Sequence, residues 1–370
     1  MLFRSDLIIV EGAGSPAEVN LRAGDIANMG FAIKADVPVI LAADIERGGV
    51  IASIVGTAQL LEPDERRLLH GYIINKFRGD PSLFDNAHPI LHDYTGLTNY
   101  GVVPWFAQAK DLPEEDVLGL KGAVKDKPVI NIAVPHLPRI ANFDDLDPLR
   151  MEPKVNLHIC DISEPLPAAM DLVILPGSKS TISDYLALKR HGWIDDLRQH
   201  HRRLGMILGL CGGYQMLGRT IADPNGIEGP ARSINGLGLL DVHTTLSGDK
   251  TVRPTQATCP LFDATAQGYE IHLGRTFGPD CDRPFLTGLN NGRDDGAISA
   301  DGLTMGTYLH GLLHNDRLRA ALLERARRGS ASDLLVEARI DQALDGLADH
   351  LEHCLDLDGL RALAARRGQN

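Results

Sequence analysis

The chain has 370 residues, of which 44% are apolar and 23% charged, an ordinary make-up for a globular protein of two or three domains. Its formal net charge of -12 argues against a nucleic-acid partner and favours a small-molecule substrate. No apolar run approaches the roughly 20 residues that a membrane-spanning helix needs. Asp6 and Glu11 bracket too short an apolar run for a signal peptide. Cys160, Cys211, Cys259, Cys281 and Cys354 are widely spaced and show no metal-site pattern, which predicts a cytoplasmic protein.

In chain order, residues 7–10, 37–43, 71–75 and 101–103 read as buried strands, each ending in a polar or glycine-containing segment. Strands alternating with helices predict a parallel, doubly wound α/β sheet with its ligand beyond the carboxyl ends. Residues 111–127 are rich in charge, Gly and Pro and read as a linker. A second α/β pattern follows, with strands over 129–134, 155–160, 172–175 and 206–210, and helix over 182–204 broken near Gly192. Residues 237–309 are strand-rich. Ile340, Leu344, Leu347, Leu351 and Leu355 recur at helical spacing and predict a packing face on a C-terminal helix. The expected domains are residues 1–120, 126–325 and a helical tail over 326–370.

The segment Met206-Ile-Leu-Gly-Leu-Cys-Gly-Gly-Tyr-Gln-Met-Leu-Gly218 carries the most information. A strand runs straight into Cys211, then two glycines, then an apolar helix, the pattern of a nucleophile elbow with Cys in place of Ser. Glycines permit the sharp turn, and a helix N-terminus favours the thiolate. A lone Cys is more often a buried structural residue, but Gly212 and Gly213 weigh against that here. Such a thiol needs a partner that acts as base and then acid. His310, in Met305-Gly-Thr-Tyr-Leu-His-Gly, ends a strand late in the same domain and is the candidate among 14 histidines. The backbone N–H groups near Gly177, in Leu-Pro-Gly-Ser-Lys-Ser-Thr181, and of Gly212 could converge on an oxyanion. Two histidine pairs are read as non-metal: His88 and His92 have Pro89 between them, and His350 and His353 read as solvated.

Together, Cys-Gly-Gly, Pro-Gly-Ser-Lys-Ser-Thr and Tyr-Leu-His-Gly resemble a class I glutamine amidotransferase domain. With Gly268-Tyr-Glu-Ile-His-Leu-Gly274, they resemble the cobyric acid synthase family specifically. Glu270 and His272 are carried over as residues lining the glutamine site. Most class I enzymes place an acid two residues after the His. Here that residue is Leu312, as in the Cys–His branch that this family represents, and the group that orients His310 is left unassigned.

The first domain resembles the dethiobiotin synthetase-like ATP-binding fold of the same family, through Glu11-Gly-Ala-Gly-Ser-Pro-Ala-Glu18, Ala43-Asp-Ile-Glu-Arg-Gly-Gly49, Ile73-Ile-Asn-Lys-Phe-Arg-Gly-Asp80 and Gly101-Val-Val-Pro-Trp105. The resemblance implies ATP and Mg²⁺ as cofactors, with Glu11 at the metal, Asn75 near the adenine and Asp44 at the phosphate or substrate end. A G-x-x-x-x-G-K-[ST] phosphate loop is absent. The expectation is a partial domain whose missing loop comes from a separate chain or was lost, and which alone hydrolyses glutamine without making cobyric acid. The implied reaction is amidation of carboxylates of adenosylcobyrinic acid a,c-diamide, activated by ATP as acyl phosphates, with ammonia from glutamine. The alternatives are a non-catalytic or glutaminase-only remnant, or another amidotransferase such as cobyrinic acid a,c-diamide synthase.

Overall fold

The computed structural model describes residues 6–113, 122–290 and 292–365. The chain divides into two compact units, Met1–Leu112 with Asp341–Asn370, and Pro113–Ile340.

The first unit contains α1 (Met29–Ala35), β1 (Val39–Asp44), α2 (Val50–Leu60), α3 (Pro63–Arg66), β2 (Leu69–Phe77), α4 (Ala87–Thr95) and β3 (Thr98–Pro104). The three strands form a parallel sheet in the order β1-β2-β3. Ile54, Tyr72, Ile74 and Leu91 are its innermost side chains. Residues 7–10 depart from expectation: they form no strand and are exposed, Ile9 at 86%. A buried strand needs a ladder neighbour as well as apolar side chains. Among the described residues the sheet contains only β1, β2 and β3, and residues 7–10 pair with none of them.

The second unit begins with β4 (Ile130–His136), β5 (Ile140–Ala141), α5 (Asp147–Met151), β6 (Val155–Asp161), β7 (Leu172–Leu175), β8 (Gly177–Ser178), α6 (Thr181–Arg190) and α7 (Trp193–Arg202). It continues with β9 (Met206–Leu210), α8 (Gly212–Leu217), β10 (Thr220–Asp223), β11 (Arg232–Asn235), the long hairpin β12 (His243–Cys259) and β13 (Ala264–Phe277), β14 (Ala297–Ile298), β15 (Thr304–Thr307), β16 (Leu309–His310) and α9 (Asp316–Ala326). The central sheet runs β14-β15-β9-β7-β4-β6, parallel except for β14. Its inner strands β7 (Leu-Val-Ile-Leu) and β9 (Met-Ile-Leu-Gly-Leu) are apolar throughout because both faces are covered. Ile132, Val134, Ile174, Leu208 and Leu210 pack on one face, and Ala133, Val173, Leu175 and Ile207 on the other. Each buried Leu or Ile contributes about 1.5–3 kcal/mol. A second sheet, β11-β10-β12-β13-β16, draws its last strand from the chain just beyond β15. Of the segment read as a linker, residues 114–121 lie outside the described residues.

Helices α10 (Val336–Cys354) and α11 (Leu357–Ala364) follow. Residues from Asp341 onward group with the first unit rather than as a separate tail. Of the expected stripe, Ile340, Leu347, Leu351 and Leu355 are half-buried, whereas Leu344 is 49% exposed and Ala343 beside it is buried. His350 is not solvated. Its Nε2 lies 2.9 Å from the Pro104 carbonyl and its ring 5.2 Å from Phe106. His88 is likewise satisfied, bonded to the Tyr72 hydroxyl at 2.9 Å. No group of three or more His, Cys, Asp or Glu among the described residues could hold a metal, and no described helix is long and apolar enough to cross a membrane.

Arg319 on α9 is buried and fully engaged. It donates to Glu152 at 2.6 Å, to Asp316 and the Leu313 carbonyl at 2.9 Å, and to the Leu334 carbonyl at 2.8 Å. Glu152 also accepts from the Ser332 hydroxyl at 2.5 Å. Removing Arg319 leaves Glu152 buried without a counter-charge, and removing Glu152 leaves buried Arg319 with Asp316 alone; breaking a buried pair in this way costs about 3–5 kcal/mol. Arg319→Ala and Glu152→Ala should each lose that much in denaturant unfolding, and the double variant should lose less than the sum. Additive losses would show that the two act independently.

Candidate active site

β9 ends at Cys211, whose backbone adopts φ 49°, ψ -107°, a conformation that non-glycine residues avoid. Its amide donates to the Thr307 carbonyl at 2.9 Å, which ties the turn to the neighbouring strand β15. Gly213 has to be glycine: a Cβ there would stand 2.0 Å from the Leu175 carbonyl oxygen. Gln215, on the turn of helix that follows, accepts from the Thr181 hydroxyl at 2.9 Å and donates to the Leu273 carbonyl at 3.0 Å and Tyr308 Oη at 3.1 Å. As a thiol, Cys211 donates to the Ile271 carbonyl at 3.3 Å.

His310 comes from the other sheet. β15 runs beside β9, and at Tyr308 the chain crosses to β16, where His310 pairs with Tyr269 and Leu309 with Glu270. The ring is wholly buried and stacks on Tyr269, centroids 5.4 Å apart. Nδ1 lies 2.7 Å from Asp145 Oδ2, while Nε2 has no hydrogen-bond partner. Burial disfavours the imidazolium, but the hydrogen bond with Asp145, the interaction with Cys211 and the charges of both outweigh it and raise His310 to about 10.

Gly177 and Gly212 meet in the same place. β8 pairs with β5, Gly177 opposite Ala141. A Cβ on Gly177 would lie 3.4 Å from His310 Cε1, and one on Gly212 would lie 3.0 Å from the Ser178 amide nitrogen. The Ser178 hydroxyl donates to Asp184 at 2.6 Å, and burial raises that carboxyl. Of the Pro-Gly-Ser-Lys-Ser-Thr residues, Ser178 and Thr181 are thus spent on holding the turn. On β13, Glu270 is buried and bonded to Arg253 at 2.5 Å. Burial raises its carboxyl, but His272 and Arg253 bring it below the usual value. His272 stacks on Tyr308 at 3.9 Å. A thiol, an imidazole that favours its cation and backbone amides at two glycines are a set capable of acyl transfer.

The CobB/CobQ-like glutamine amidotransferase domain matches residues 131–318. Cobyric acid synthase of Brucella suis is 54% identical over 361 residues, covering 97% of this chain and 74% of its own length. That of Methylobacterium nodulans is 54% identical over 364 residues, covering 98% and 74%. The chain belongs to the cobyric acid synthase family. It is a glutamine amidotransferase of cobalamin biosynthesis. Among solved structures, PurLQS of Thermotoga maritima aligns with 59% of this chain and 99% of its own at 18% identity and a TM-score of 0.39.

In the first unit, Asp44 and Asn75 stand opposite each other at the carboxyl ends of β1 and β2. Asp44 pairs with Lys76 at 2.8 Å, and that hydrogen bond lowers its carboxyl. Glu11 lies in an exposed segment without regular structure, outside the sheet. Asp145 was missed as a site residue in the sequence, as were Tyr269, Gln215 and Tyr308. The signal for Asp145 was two adjacent acids, Asp144 and Asp145, directly after Ala141-Asn-Phe143. Leu312, at the position where most class I enzymes carry the acid, is buried in the apolar core.

The His310 value in the folded chain exceeds the ordinary 6.5, so protonation is linked to folding. The resulting stabilisation is complete below about pH 6.5 and is lost as pH rises through about 10. The difference in unfolding free energy between the native chain and His310→Gln should therefore shrink from neutral pH to pH 10. A difference that stays constant across that range would contradict the assignment.

Proposed function

We propose that this chain transfers the amide nitrogen of glutamine to carboxylate side chains of adenosylcobyrinic acid a,c-diamide, giving adenosylcobyric acid, in the cytoplasm. The observation that carries the reading is the convergence of strained Cys211 at the end of β9 with buried His310 from β16. In this mechanism Cys211 Sγ, as thiolate opposite the His310 imidazolium, attacks the glutamine carboxamide carbon. The tetrahedral oxyanion accepts backbone N–H groups near Gly177 and Gly212. His310 Nε2 gives its proton to the departing ammonia. Water then attacks the thioester, His310 takes its proton, and glutamate leaves with the Cys211–His310 pair restored. Glu270 and His272 line the glutamine pocket.

The chemistry of the first unit fits a nucleotide. Asp44 and Asn75 close adjacent parallel strands at the edge where such sheets take ligands, and Lys76 adds a cation beside Asp44. Asp44 and Asn75, with Glu11 on the metal side, would hold ATP and Mg²⁺. ATP, when bound, supplies activation of the corrinoid carboxylate toward ammonia.

A glutamine-directed electrophile should label Cys211, mapped by mass spectrometry, and Cys211→Ser should lower glutamate release by roughly 10³-fold or more. Labelling of another cysteine with Cys211 untouched would sink the reading, as would a Cys211→Ser variant of native rate. Where amidated corrinoid forms from amide-¹⁵N glutamine, ATP, Mg²⁺ and the diamide, it should carry ¹⁵N. Product without the label would contradict the nitrogen source.

A further inference from the structure

We infer that Asp145 is the positioning residue of the glutaminase site: a carboxylate 165 residues upstream of His310 in sequence, holding its imidazole through Nδ1. This rests on the glutaminase reading above and adds a third member to the Cys–His pair.

Both oxygens of Asp145 are committed to the same short stretch. Oδ2 meets His310 Nδ1 at 2.7 Å, and Oδ1 accepts the Gly311 amide at 2.6 Å. One carboxylate thus fixes the ring and the peptide that follows it. Asp145 and His310 are 2% and 0% exposed, so water does not compete for the bond. With Nδ1–H bound to a carboxylate, Nε2 is the nitrogen left for chemistry, and it is the one without a hydrogen-bond partner. The ring's other constraint comes from Tyr269, which stacks on it and is itself held through its hydroxyl by Asn142 at 3.1 Å and Asp144 at 3.4 Å.

The loop that delivers Asp145 is anchored by the site it serves. It starts from β5, which pairs with Gly177 on β8, and turns at Asn142 with φ 53°. The charged and titratable groups facing the imidazole are Asp145, Cys211 and Tyr269, with Asp144 behind Tyr269. Asp144 does not bond the ring. Burial, then the charge of Asp145, raises its carboxyl. Leu312, at the position where most class I enzymes carry the acid, lies in the apolar core and could not serve.

The test uses the full chain. Asp145→Asn should lower kcat for glutamine hydrolysis by roughly 10²-fold, with KM within about threefold, because base and acid action are impaired but glutamine binding is not. Asp145→Glu should recover part of the loss. In ¹⁵N-histidine spectra of the native chain, neutral His310 should carry its proton on Nδ1, a readout that needs no substituted protein to fold. An Asp145→Asn kcat within threefold of native overturns the inference, as does a proton on Nε2 of neutral His310. A native chain that hydrolyses no glutamine overturns the glutaminase reading itself. An active native chain indifferent to Asp145→Asn overturns only the role of Asp145.

Discussion

The hydrogen bond from the Cys211 amide to the Thr307 carbonyl joins the two halves of the site. It fastens the strained turn after β9 to the end of β15, three residues before His310. The next residue, Tyr308, carries the chain from the central sheet to the second sheet. Crossing there, rather than continuing into a helix, places an imidazole against a cysteine that is 99 residues earlier. The positive φ at Cys211 costs of order 1–3 kcal/mol, and packing around the turn offsets it. Gly213 lies against the Leu175 carbonyl, and Gln215 is held on both sides.

The crossing is buried, so its polar groups have to be satisfied within the protein. Asp295 does this for the chain at the crossing, accepting from the Thr307 hydroxyl at 2.5 Å and the Tyr308 amide at 2.9 Å. Its own burial raises its carboxyl. The Tyr308 hydroxyl joins Gln215 at 3.1 Å and Thr276 at 2.6 Å. These bonds link the Cys211 turn, the crossing and β13, and through β13 the strand position of His310. The network sets the backbone, whereas Asp145 sets the ring. Rigid support of this kind is what a short-range proton transfer requires.

Much of the second unit could be read from local pattern because its information is local. The four apolar runs at 129–134, 155–160, 172–175 and 206–210 became β4, β6, β7 and β9, and the Cys-Gly-Gly turn is marked by three adjacent residues, although the steric need for Gly213 comes from Leu175 on β7. Asp145 could not be read in this way, since its partner is 165 positions away and only the pairing of β5 with β8 brings the loop to the site. Residues 7–10 show the opposite limit. Their apolarity is that of a strand, but strand formation depends on a neighbour that a local pattern does not contain. His350 was misjudged for a similar reason, its partners Pro104 and Phe106 lying far back in the chain.

The central claim is that Cys211, His310 and Asp145 act as one aligned set on glutamine. The most direct measurement is a crystal structure of the chain after reaction with a glutamine-derived electrophile. The account predicts a covalent bond at Cys211 Sγ, His310 Nε2 within hydrogen-bond reach of the adduct, Nδ1 still on Asp145, and the adduct oxygen facing the amides near Gly177 and Gly212. An adduct on any other residue, or one on Cys211 with His310 turned away from both it and Asp145, would contradict the account.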